Sequence, residues 1–142
     1  MSIVRTLPLM STPTRLGWAA LVSRTAAGAI ALLVIAQATS AGTFLSGRRW
    51  ALALHREMAL TVISWLALLT VAAAVLAWRP GRHSGTPAVL SVVGLVGIGL
   101  QIAMGFARDL SVHLPLGVVL FGIYLWIALG RDRRRSRRTQ KQ

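Results

Sequence analysis

Charged residues fall into short clusters along this chain, and between the clusters run four long uncharged stretches: Thr25 to Gly47, Met58 to Trp78, Ser84 to Ala107 and Leu110 to Gly130. Each is 21 to 24 residues long, against the roughly 20 that a helix needs to cross the hydrocarbon of a bilayer. Isolated strands would leave backbone polar groups unpaired in lipid, so the pattern predicts four transmembrane α-helices. The joints are short: "RR" with its neighbours, then "RPGRH", then "RD". Such joints force successive helices antiparallel. The predicted fold is an all-α integral membrane protein, a four-transmembrane-helix up-down bundle. Its expected organisation is an N-terminal tail over residues 1–24, a membrane domain over 25–130 and a basic tail over 131–142. The apolar run ending in "ATSAG" has something of a cleavable signal sequence. It is longer than an ordinary signal core, and it reads as a retained span.

Composition agrees with a lipid environment. The chain has 142 residues, of which 55% are hydrophobic and 13% charged, and its net charge is +13. Such a charge often marks a nucleic-acid partner. Here the basic residues lie between the apolar runs and in the tail, which suits membrane topology and contact with anionic lipid; no nucleic-acid partner is expected. With no cysteine in the sequence, disulfides, thiolate metal sites, iron–sulfur clusters and covalently attached haem are all excluded.

Arginine placement predicts direction. Twelve of the sixteen basic residues lie in the N-terminal segment, the second joint and the C-terminal tail; Arg48, Arg49, Arg56 and Arg108 share the other side. The positive-inside rule then places both termini in the cytoplasm, an N-in/C-in multi-pass protein of a bacterial cell (inner) membrane. Trp18, Trp78 and Trp126 are expected near the inner interface and Trp50 near the outer. Trp65, in mid-span, is expected to pack inside the bundle. Gln37 and Gln101 should face the interior and bond across helices.

Candidate chemistry lies in two histidines. Spans two and four run in the same direction, from outside to inside. With span two starting near Ala51 and span four near Leu110, a rise of 1.5 Å per residue puts His55 about 6 Å and His113 about 4.5 Å below the outer surface. In an up-down bundle these spans face each other diagonally across the core. Two imidazoles at one level suit the axial pair of a haem iron. Arg49, Arg56 and Arg108, with Arg48, gather at the same mouth as partners for haem propionates. The plainer reading, in which each histidine bonds a neighbour or a lipid headgroup near a helix end, stays open. His83 lies in a loop on the other side and is assigned no role. Zinc or copper is disfavoured, since two ligands leave such a site incomplete. Pro115 sets a local conflict: the residue before a proline avoids helical geometry, which allows span four to begin only at Leu114 or Pro115.

Three stretches carry a family resemblance. "LHREMALTVISWLALL" at 54 to 69 resembles the second helix of the heme A synthase family. "LVGIGLQIAMGFARDLSVHLPLGVVLFGIYLWIAL" at 95 to 129 is similar to that family's third and fourth helices, and "VIAQATSAGTFLSG" at 34 to 47 resembles the end of its first. Family members have two four-helix halves, each offering a histidine pair to haem, and this chain resembles one half. The resemblance implies a b-type haem with His55 and His113 as iron ligands and Arg56 beside the first. In the family's catalytic half a glutamate stands three residues before that histidine. Here Leu52 occupies the position, and Glu57 follows the histidine instead. The departure speaks against oxidation of a haem methyl and leaves open whether the chain is an enzyme.

Two functions follow as expectations. One is a haem b-binding membrane protein serving electron transfer or haem and cytochrome oxidase biogenesis. The other is a non-catalytic accessory or assembly subunit of a respiratory membrane complex without its own cofactor. A homodimer would rebuild the family's eight-helix arrangement. A transporter is disfavoured because no acidic residue lies deep in a span.

Overall fold

The structure, a computed structural model, describes residues 17–79 and 84–130. His83 and the basic tail lie outside the described residues. Helix α1 is Gly17–Leu45 and α2 is Trp50–Met58. A π-helical turn, Ala59–Ile63, joins α2 to α3, Ser64–Trp78. Helices α4, Thr86–Ala107, and α5, Leu110–Leu129, complete the described chain. Because α2, the π turn and α3 run on without a break, the described residues form four rods long and apolar enough to span a membrane. The described residues form no strand. The protein is a multi-pass membrane protein by these spans.

Neighbouring rods pack in a closed ring: α1 on α3 and on α5, α4 on α5 and on α3. The second and fourth rods are therefore diagonal, as the short joints predict. The rods are apolar all round, so hydrophobicity cannot select the inner face; residue size does. Alanines dominate the buried set, including Ala27, Ala31, Ala67, Ala73 and Ala74, while Leu32, Val96 and Val118 point outward. Small residues let the backbones approach closely, and the few large buried groups fill what remains. Chief among these is Tyr124 of α5, fully buried opposite Gly94 of α4, where an added Cβ would stand 2.9 Å from the phenol ring and its hydroxyl.

Several boundaries and one side chain differ from the sequence reading. Helix α1 begins at Gly17, so part of the expected N-terminal tail is helical. Arg24 does not stop the helix, because its side chain reaches across to α5, with Nε donating to Ala128 O at 3.1 Å and Nη2 to Leu129 O at 3.3 Å. The second rod starts at Trp50, one residue before the expected Ala51, and the charged "HRE" lies on a continuous helix near its end. Helix α5 starts at Leu110, ahead of Pro115. Asp109 caps it by accepting from Val112 N, and a proline in the second turn forfeits only one backbone bond. Trp65 is 71% exposed and faces away from the bundle, contrary to expectation. An apolar environment outside the protein removes the drive that would bury it.

Gly94→Ala should lower stability by about 1–3 kcal/mol, since Tyr124 is boxed in and must move off its rotamer. Gly99→Ala, where nothing lies within 4 Å of the new Cβ, should raise stability by about 0.5–1 kcal/mol through helix propensity alone. Unfolding of the detergent-solubilised protein, followed by circular dichroism, reads both.

Candidate functional site

The two histidines meet. His55 on α2 and His113 on α5 have ring centroids 6.3 Å apart, with their planes inclined at 45°. Each ring is half-buried. Each is also held by the helix that precedes its own. His55 Nδ1 lies 3.1 Å from Gln37 O of α1, and His113 Nδ1 lies 2.9 Å from Gln101 O of α4. A carbonyl can only accept, so both Nδ1 atoms carry the proton. That leaves each Nε2 unprotonated with its lone pair available, the tautomer that metal-bound imidazoles adopt.

The two halves of this arrangement are alike. In each, a glutamine on the incoming helix offers its main-chain oxygen to a histidine near the start of the next. The glutamine side chains differ. Gln37 Nε2 crosses from α1 to donate to His55 O at 2.9 Å, as expected of a polar group inside a span. Gln101 turns toward Gly117, where an added Cβ would meet its Nε2 at 3.2 Å; its Oε1 is buried and has no partner among the described residues.

Two further contacts tighten the site. Ser40 is buried, and its hydroxyl lies 2.9 Å from Gln37 O and 3.1 Å from His55 Nδ1. It donates to the carbonyl and accepts from the ring, so His55 has two acceptors where His113 has one. On the other side, a Cβ at Gly105 would stand 3.1 Å from His113 Cε1. The absence of a side chain there allows the ring to lie against α4. Sequence reasoning found the histidines but not these supports. A serine three residues after a glutamine, on the same helix face, was the only available signal for Ser40. Main-chain acceptors leave none.

The arginines occupy the same end. Arg49 immediately precedes α2, and Arg108 lies in the two-residue joint between α4 and α5; both are exposed, as is Arg48. Arg56 reaches from α2 to α4, its guanidinium carbon 5.4 Å from the centroid of the Phe106 ring, a cation–π contact between neighbouring rods at the edge of the site. Helix α2 otherwise packs on α1. Arg108 is held with a left-handed backbone, φ 59°, where its N–H turns back to close α4. Among the described residues no third His, Cys, Asp or Glu joins the pair to make a metal site built of protein ligands alone.

Asp109 fixes the start of α5 and hence the height of His113. Its carboxylate accepts from the Ser111 hydroxyl and from Val112 N. The Ser111 hydrogen bond, followed by the Val112 amide, holds its pKa below the ordinary carboxylate value.

No protein-family model, curated protein or solved structure matches this chain.

Two outcomes test this end of the bundle. Asp109 has a folded-state pKa below its unfolded one, so its cap stabilises above the unfolded value and is lost as pH falls through the folded one. Asp109→Ala should therefore lower the thermal midpoint at neutral pH, and the gap to wild type should narrow as pH drops below about 4. Arg108→Gly should raise stability by about 1 kcal/mol, because glycine adopts the left-handed conformation without a Cβ penalty.

Proposed function

We propose that this protein holds a b-type haem between His55 and His113, serving electron transfer or the biogenesis of haem and cytochrome oxidase. The observation that carries the reading is the imidazole pair, contributed by diagonal rods, with both Nδ1 atoms committed to carbonyls. The spacing supports it. A metal–imidazole bond of about 2 Å, with about 1 Å more from nitrogen to ring centre, places the centroids of two opposed ligands roughly 6 Å apart. The pair stands at 6.3 Å. Two neutral nitrogen donors, with no third among the described residues, suit an iron whose other ligands would come from a macrocycle. The resemblance to one half of heme A synthase points to the same group.

In this reading His55 and His113 would hold the iron through Nε2, and the haem, when bound, would supply a one-electron couple. The chain's own residues do the rest. The carbonyls of Gln37 and Gln101 fix each ring's tautomer and raise the basicity of the donor nitrogen, and Ser40 adds a second restraint on His55. Arg49, Arg56 and Arg108 supply fixed positive charge at the mouth, matched to carboxylates. Leu52 puts an apolar side chain where a catalytic glutamate would stand, which favours holding haem over oxidising it. The basic residues at the opposite end favour N-in/C-in orientation, with the histidines toward the outer face.

The purified protein should show the reduced-minus-oxidised absorption difference of a low-spin b haem, and His55→Ala and His113→Ala should each abolish it. Ser40→Ala should keep the haem but shift its midpoint potential, read by redox titration. A colourless protein that co-purifies with larger respiratory partners and tolerates both histidine changes would instead identify an accessory subunit.

A further inference from the structure

The second rod carries one residue more than a regular helix needs between its core and its histidine. Ile63 is buried in the centre of the bundle, and Ala51 is fully buried one turn from His55, which faces His113. A regular α-helix returns to nearly the same face after seven residues. Seven residues before Ile63 stands Arg56; His55 is eight before. An unbroken α-helix through residues 50–78 would therefore turn the guanidinium inward and the imidazole away from His113. The π turn Ala59–Ile63 absorbs the surplus residue.

Such a turn is costly in lipid. It draws carbonyls away from the amides that a regular helix would bring to them, and no water is at hand as a substitute donor. Ser64 supplies one: its hydroxyl donates to Ala59 O at 2.8 Å, five residues back. Every other hydroxyl bond to a main-chain carbonyl among the described residues reaches three or four residues back, those of Thr25, Thr39, Thr43, Thr70 and Ser91 included. The Ser64 bond therefore belongs to the wide turn. In a regular helix Ala59 O would take the Ile63 amide, and a hydroxyl there would add little. The hydroxyl thus favours the wide turn over the regular one.

We propose that Ser64 is a positioning residue for the histidine site. By holding Ala59 O it keeps the surplus residue in the turn, and so keeps the His55 imidazole, rather than the Arg56 guanidinium, facing His113. It acts through the backbone, nine residues along the chain from the ring it orients. The consequence for haem rests on the function proposed above; the register of the rod does not.

The sequence has no cysteine, so Ala51→Cys gives the full-length chain a single thiol. It sits at a fully buried position near the histidine end that the other register would turn outward. In nanodiscs a water-soluble maleimide should label this thiol slowly in the otherwise wild-type chain. With Ser64→Ala labelling should be about tenfold faster, the shift expected from losing one hydrogen bond inside the bundle. Ser64→Thr, which keeps the hydroxyl, should restore protection; Ser64→Val, of the same shape as threonine, should not. Deleting Leu60 removes the surplus residue, so a regular helix then brings His55 inward unaided. In that background Ser64→Ala should leave labelling slow, whereas a general loosening of the bundle would not be cured by a shorter rod. Fast labelling with Ser64 in place, equal labelling with and without its hydroxyl, or labelling that the deletion does not suppress, overturns the proposal. Haem is read in chains that keep Ala51. Where wild type shows a low-spin b spectrum, Ser64→Ala should bind haem about tenfold more weakly and the Leu60 deletion should restore binding; undiminished binding in Ser64→Ala overturns the proposal. A colourless wild type with the labelling pattern intact defeats the haem reading and leaves the register supported.

Discussion

The hydrogen bond from each imidazole Nδ1 to a main-chain oxygen on the neighbouring helix organises the histidine end. In a helix, the oxygens of Gln37 and Gln101 each accept from the amide four residues on, and each keeps a second lone pair. In water that lone pair would be solvated; inside an apolar bundle it is available to a donor from another rod. A histidine that reaches it ties two rods together. The ring then loses its freedom to flip, and its other nitrogen is left as an acceptor. For His113 the approach passes over the residue four positions beyond Gln101, which is Gly105, where a Cβ would crowd the ring at 3.1 Å. Placement of the ring, choice of tautomer and coupling of helices are one interaction.

The two ends of the bundle solve the same problem differently. Between them the rods are sealed by alanine faces and by Tyr124, Ile30 and Ile127, with little exposed polarity. Where the rods diverge, polar groups appear in pairs that need partners. At one end two imidazoles are oriented by carbonyls and ringed by exposed arginines. At the other, Arg24 closes the last turn of α5 while the Ser23 hydroxyl is buried without a partner among the described residues. A bilayer offers no water to the interior, so each such group must be matched by protein or by a guest. Matching by protein is complete at His55 Nδ1. It is incomplete at Gln101 Oε1, at Ser23 Oγ and, between the two ends, at the Tyr124 hydroxyl.

Much of the architecture was legible because lipid makes length and charge decisive. Uncharged runs longer than a bilayer is thick and joints of a few residues fix four antiparallel rods and their diagonal pairs, and the diagonal brings His55 to His113. What the sequence hid follows from the same cause. When every face of a rod is apolar, periodicity carries no information about which face turns inward. Trp65 could therefore be misassigned to the interior. The start of α1 at Gly17 was obscured because Arg24, a charge that ordinarily ends a span, is satisfied by the end of another helix. Pro115 looked like a starting signal for α5, but the Asp109 cap governs, since it supplies an acceptor that the first turn requires.

The π turn at Ala59–Ile63 shows why the histidine rather than its neighbour reaches the site. Below the turn, the inward face of the second rod is set by Ile63, Ala67, Thr70, Ala74 and Ala77. Extending that face backward through regular α-helix, at about 100° per residue, would bring Arg56 to within about 20° of it and leave His55 about 80° away. A π turn takes up an extra residue and rotates everything before it by about that amount. Ala51 and His55 then come onto the inward side, and Arg56 is carried out to Phe106. The Ser64 hydroxyl bonds Ala59 O, five residues back, at 2.8 Å, while the Thr61 hydroxyl takes Glu57 O at 2.6 Å, so side chains occupy carbonyls within and beside the wider turn. The "HR" pair is thus divided by one local irregularity of the backbone, the imidazole turned toward its partner and the guanidinium toward the rim.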